Sequence, residues 1–160
     1  MPHLAITRAG VREFLQYPVG SRSLWIGSQV LSPEEIDLLR AQGYPITVFS
    51  HAVLSNSEIK SVLPTIEEHH PHEAVCVEAC PQKVNPRSFD IGQAFLWQEL
   101  VVGVNYAHNE YVHIRSGPHA GGSGSLVSLI SVAPEPAYLL ELESGYDVQV
   151  AQSDIGRADA

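Results

Sequence analysis

Val112-His113-Ile114-Arg115-Ser116-Gly117-Pro118-His119-Ala120-Gly121-Gly122-Ser123-Gly124-Ser125-Leu126-Val127 decides how the second half of this chain is read. Gly117, Gly121 and Gly124 fall at intervals of four and three between two alternating, β-branched segments. Glycine recurs where a backbone must take positive φ or turn tightly without steric cost. The stretch therefore reads as strand, loop, strand.

Downstream, Tyr138, Leu140 and Leu142 alternate with Leu139, Glu141 and Glu143, and after Ser144-Gly145 Val148 and Val150 alternate with Asp147 and Gln149. Putting the leucines and valines on one face pairs Leu142 with Val148 and Leu140 with Val150. That register needs a loop of odd length, most simply Ser144-Gly145-Tyr146, because a two-residue turn would set Leu142 beside Asp147 and break the apolar face. Glu141, Glu143 and Asp147 then share the solvent face as an acidic patch.

Val112, Ile114, Gly117, Gly121, Gly124 and Val127 lie at the spacing of the KOW motif, which residues 108–155 resemble. The resemblance implies a small SH3-like β-barrel and a binding role in translation or transcription rather than catalysis. KOW domains that bind RNA usually carry lysine in the glycine loop, where this chain has Gly122, Ser123 and Ser125.

The first half alternates in the manner of an α/β unit. Ser23–Gly27 reads as a short buried strand. Ser32-Pro33-Glu34-Glu35 is the clearest helix start in the chain, with Ser32 as cap, Pro33 at the first helical position and Glu35 closing a capping box. Ile36 and Leu39 supply its buried stripe, with Leu38 beside it, and Gly43 marks its stop. Pro45–Phe49 is a second strand. Ser55 and Glu58 repeat the capping spacing, and Ile59, Val62, Leu63 and Ile66 follow the amphipathic template. Pro64 should kink that helix or divide it into two short pieces. Ala74–Val77 makes a third strand, and Ala9–Gln16 an earlier helix over one face. The expected fold class is mixed: a small parallel βαβαβ unit at residues 1–82, a connection at 83–97, and the SH3-like barrel at 98–156. Residues 91–106 read as a short helix followed by a first barrel strand at Leu100–Tyr106.

The net charge is −9, and from residue 101 onward two basic residues, Arg115 and Arg157, face seven acidic ones. Nucleic-acid binding draws most of its free energy from Lys and Arg at phosphates, so nucleic acid is not the expected partner. Acidity instead steers basic partners. No apolar run approaches the ~20 residues that cross a bilayer. No charged segment followed by an apolar one opens the chain. Cys76 and Cys80, if extended, stand ~13 Å apart, too far to bond to each other. These features predict a soluble cytoplasmic protein with free thiols, no membrane association and no cofactor.

His69, His70 and His72 with Cys76 and Cys80 are zinc-ligand types, but their spacing fits no common template, and the plainer reading is a solvated helix end. Gly117–Ser123 lacks the lysine and following helix of a phosphate loop, and Gly121–Ser125 is one residue short of a nucleophile elbow. His108, Glu110 and His113 could supply acid–base chemistry, though no nucleophile accompanies them. The leading expectation is a non-enzymatic protein-binding module, most concretely a bacterial immunity protein that blocks a toxin electrostatically and sterically. Its expected contact residues are Glu141, Glu143, Asp147, Tyr146 and Tyr111, the tyrosines as anchors. A KOW-type accessory factor of the ribosome or RNA polymerase, and a small His/Glu-dependent enzyme, are the alternatives.

Overall fold

A computed structural model describes residues 1–158. The chain divides into two compact units, Met1–Asp90 and Ile91–Ala160. Residues 83–97, read above as a connection, divide between them. The Ser88 hydroxyl donates to the Val30 carbonyl at 3.2 Å inside the first unit. The helix Ile91–Leu96 belongs to the second.

The first unit runs β1 (Pro2–Ala5), α1 (Arg8–Phe14), β2 (Ser23–Ile26), α2 (Pro33–Ala41), β3 (Ile46–Val48), α3 (Asn56–His69) and β4 (Cys76–Val77). All four strands are parallel, in the order β3-β2-β1-β4. The expected parallel α/β unit is present, with one strand more than βαβαβ. Pro2–Ala5, four buried residues without alternation, is an interior strand. A strand covered on both faces has no polar side to alternate with, so its pattern is silent.

Both expected helix starts form as read. Ser32 and Glu35 close a reciprocal capping box. The Ser55 side chain accepts from the Glu58 amide, while Glu58 accepts from the Leu54 amide at 2.8 Å. Pro64 does not divide α3, which runs unbroken from Asn56 to His69. Its ring is exposed, while Ile59, Val62 and Ile66 pack with Leu4, Ile6, Trp25 and Val53 in one buried cluster. That burial outweighs the single backbone donor that proline removes. On the other face of β1, the His3 ring lies 5.8 Å from that of Phe14 in α1. The sheet is therefore covered on both faces, α3 on one and α1 on the other.

The second unit comprises α4 (Ile91–Leu96), β5 (Tyr111–Ile114), β6 (Ser123–Ser131), β7 (Ala137–Leu142), β8 (Asp147–Ala151) and, after a 3-10 turn, β9 (Ile155–Arg157). These strands form one antiparallel sheet in the order β8-β7-β6-β5-β9. It is not closed into a barrel: β8 and β9 are its edges. Val112, Ile114, Leu126, Tyr138, Leu140, Val150 and Ile155 make the buried face. Phe95 of α4 lies against it, its ring 5.8 Å from that of Tyr138.

The helix before the sheet forms, but the strand expected at Leu100–Tyr106 does not. Val101 and Val102 are buried in an irregular segment. The Gln152 side chain bonds to two of its backbone groups, accepting from the Asn105 amide at 2.9 Å and donating to the Gly103 carbonyl at 3.0 Å. For those two groups a side chain about fifty residues away has supplied what a strand partner would have.

Candidate functional site

The glycine stretch folds into the β5–β6 hairpin loop. Gly117 and Gly121 take φ of +83° and +92°, conformations an L side chain rarely adopts. Gly124 is needed for a different reason: a Cβ there would stand 2.0 Å from the Glu141 carbonyl oxygen of the neighbouring strand. The loop is held from below by Asp154, whose backbone carbonyl accepts from the Arg115 amide at 2.7 Å and whose carboxylate accepts from the Ser116 hydroxyl at 2.5 Å.

Register then decides which side chains meet on the solvent face. Tyr111 stands opposite Ser125, Ser125 opposite Glu141, and Glu141 opposite Asp147. These four residues form one row across four strands. In the next row His113 stands opposite Ser123, whose carbonyl accepts from the Glu143 amide at 3.2 Å. The Tyr111 hydroxyl donates to the Glu143 carboxylate, and because ionisation would lose that hydrogen bond the phenol is raised above its ordinary pKa. His113 Nδ1 lies 2.5 Å from Ser123 Oγ, and the rings of Tyr111 and His113 meet edge to face at 5.8 Å. Glu141, Glu143 and Asp147 are exposed, and among the described residues no cation pairs with them.

Four of the five expected contact residues thus share this face, and Tyr146 does not. The β7–β8 register is Leu140 with Val148 and Tyr138 with Val150, two residues from the expected pairing. The loop keeps its odd length but consists of Glu143-Ser144-Gly145, with Gly145 at φ +83°. A two-residue shift preserves both faces, which is why the apolar pattern could not detect it. Tyr146 precedes Asp147 and so belongs to the opposite side of the ladder, where it is 74% exposed. Ser123, Ser125 and His113 join the face. They were legible only as polar members of alternating strands.

No protein family, curated protein or solved structure matches this chain.

The other candidate clusters are drawn apart. The Glu110 carboxylate pairs with Arg157 at 2.7 Å and accepts from the Ala107 amide at 2.8 Å, while the His108 ring packs on Phe95 at 5.9 Å. His108, Glu110 and His113 therefore do not converge. The His69 ring lies 5.6 Å from that of Trp25, and His70 Nε2 is 3.2 Å from Ser23 Oγ. Cys76 and Cys80 are free. Among the described residues no three His, Cys, Asp or Glu side chains are grouped to hold an ion. Nor is any helix there long and apolar enough to cross a membrane.

Parallel sheets of the α/β type bind ligands beyond the carboxyl ends of their strands, where the strand order reverses. Here that place lies between β1 and β4, and the chain fills it with Glu78. Its carboxylate accepts from the Ile6 amide at 2.7 Å, the Thr7 amide at 3.0 Å and the Thr7 hydroxyl. A Cβ on Gly10 would stand 2.1 Å from Glu78 Oε2. These donors are taken by a carboxylate of the chain itself.

Proposed function

We propose that this chain is a non-enzymatic protein-binding module whose docking face is the solvent side of the β5–β8 sheet. The most concrete form of that reading is a cytoplasmic immunity protein of a bacterial type, covering the basic cleft of a toxin. The observation that carries it is the row Tyr111–Ser125–Glu141–Asp147 with Glu143 beside it: uncompensated carboxylates and an aromatic ring on one regular sheet. Such a surface attracts a cationic partner over distance and selects it by register, raising association rate and specificity more than affinity. The tyrosine, 40% exposed, is the anchor.

The SH3-like part of the reading is supported by connectivity. A meander of four strands is followed by a 3-10 turn and a fifth strand that returns beside the first. The glycine hairpin that supports a KOW-like unit also supports the second reading, an accessory factor of the ribosome or RNA polymerase.

A photo-crosslinking amino acid at Ser125, in the full chain in its native cell, tests the face directly. The expected product is a conjugate with one basic protein. It should be lost when Glu141, Glu143 and Asp147 are all replaced by lysine, with circular dichroism unchanged, because exposed substitutions shift stability by no more than ~0.5 kcal/mol. A conjugate that survives the triple replacement would refute the electrostatic reading. RNA binding tighter than about micromolar at ~150 mM salt, by fluorescence polarisation, would favour the accessory factor.

A further inference from the structure

Strand β8 is an edge. Its hydrogen-bond phase follows from the turn: the Leu142 amide donates to the Tyr146 carbonyl at 2.8 Å, and six pairs further on the Gln152 amide donates to the Pro136 carbonyl at 2.8 Å. Hydrogen-bonded and non-hydrogen-bonded pairs alternate along an antiparallel ladder. Val148 and Val150 therefore bond inward to β7, and the amides and carbonyls of Asp147, Gln149 and Ala151 point away from it. None of these amides finds a partner among the described residues.

Natural edges are blunted by lysine, proline, bulges or shortness. At five residues β8 is longer than the other edge strands β3, β4 and β9, and it contains no lysine or proline. Its pairing with β7 runs without a register shift, whereas β6–β7 has two. Val148 and Leu142 are half-buried, so the apolar face continues out to the edge. On the solvent face Asp147 stands directly opposite Glu141, a like-charge pair that costs stability unless a cation joins it.

We infer that β8 receives a partner by strand addition: an extended segment of alternating basic and apolar residues. Its basic side chains would lie beside Asp147 and Glu141 and its apolar ones beside Val148. Main-chain bonds to Asp147, Gln149 and Ala151 would supply affinity and the alternation specificity. A second copy of this chain is the wrong occupant by charge, since it would bring another Asp147 to the same edge. The inference rests on the acidic-face reading above and adds the mode of docking.

The probes are three capped octapeptides of alternating lysine and valine: one unmodified, one N-methylated on the four lysine amides and one on the four valine amides. Charge and composition are the same in both methylated forms, but in a paired strand only one set of amides faces β8. The expected result is protection of the Asp147, Gln149 and Ala151 amides by the unmodified peptide in NMR hydrogen exchange. The two methylated forms should differ in affinity by at least about tenfold, the consequence of losing two or more backbone hydrogen bonds. Gln149→Pro, which removes an outward-facing donor of a kind that edge strands tolerate losing, should abolish protection while the β7–β8 ladder persists.

Equal affinity of all three peptides, abolished by Glu141→Lys with Asp147→Lys, would overturn strand addition and leave the acidic face standing. Failure of every peptide to bind below ~1 mM would overturn both readings. A concentration-dependent dimer protecting the same amides without peptide would show that the edge serves self-association, and would overturn the basic partner.

Discussion

Replacing Arg8 with methionine removes the centre of a buried ionic network in the first unit. Arg8 and Glu35 are 2% and 0% exposed, and the guanidinium meets the carboxylate through two parallel bonds of 2.6 and 2.7 Å. Arg8 Nε also donates to the Ser88 carbonyl at 2.6 Å, fastening the chain at Ser88 to α1. Glu35 Oε2 in turn accepts from the Ser32 amide at 2.9 Å, closing the cap of α2. Methionine matches the stem of arginine but takes the Arg8 guanidinium away from the buried Glu35 carboxylate, which costs about 3–5 kcal/mol. In a unit of this size that corresponds to a fall in Tm of at least about 12 °C.

The pair itself is worth less than either partner's removal. Arg8→Met with Glu35→Leu removes both charges, loses the cap for about 1 kcal/mol, and should be more stable than Arg8→Met alone. Urea unfolding read by Trp25, 4% exposed, in a Trp97→Phe background reports this unit. A loss below about 1 kcal/mol for Arg8→Met, or a double variant no more stable than the single one, would refute the argument that taking the guanidinium from the buried carboxylate is the cost.

His3 is 1% exposed and neither ring nitrogen has a hydrogen-bond partner, so burial holds it below its ordinary pKa; the Glu13 and Glu78 carboxylates and the Gly10 backbone oppose that shift, and Arg22 adds to it. The unfolded chain then binds the proton more readily, so stability should be full above the unfolded value of about 6.5 and fall as pH drops below it; His3→Phe should flatten that part of the melting profile, and an unchanged slope would contradict it. Gly124→Ala should destabilise the second unit by more than about 2 kcal/mol in denaturant unfolding, because the backbone of β7 must move; Gly121→Ala, with open space but positive φ, should cost only about 1 kcal/mol, and the reverse order would show that the close approach is not the constraint.

The carboxylate of Glu78 carries a lesson about the first unit. The order β3-β2-β1-β4 sets up the crevice where open α/β sheets bind ligands, yet a side chain from beyond β4 occupies its donors. Nothing in Val77-Glu78-Ala79 signals that role, since Ile6 and Glu78 lie 72 positions apart.

What the sequence determined by itself was whatever near neighbours decide. Ser32 with Glu35 and Ser55 with Glu58 cap their helices through bonds spanning three residues. The alternation from Tyr138 to Val150 assigned faces, placing Glu141 and Asp147 outside and Leu140 and Val150 inside. Tertiary structure alone decided the rest. Pro2–Ala5 is a strand because β2 and β4 flank it. Leu100–Tyr106 is not a strand, and the Gly103 carbonyl and Asn105 amide within it bond to the Gln152 side chain instead. The hairpin slid by two residues, taking Tyr146 out of the loop and into the ladder opposite Leu142, because every two-step shift leaves the same residues buried. Local hydrogen bonds and side-chain periodicity are written within a few positions. Which surfaces finally cover one another is settled by competition among segments tens of residues apart, and no short stretch of sequence contains both competitors.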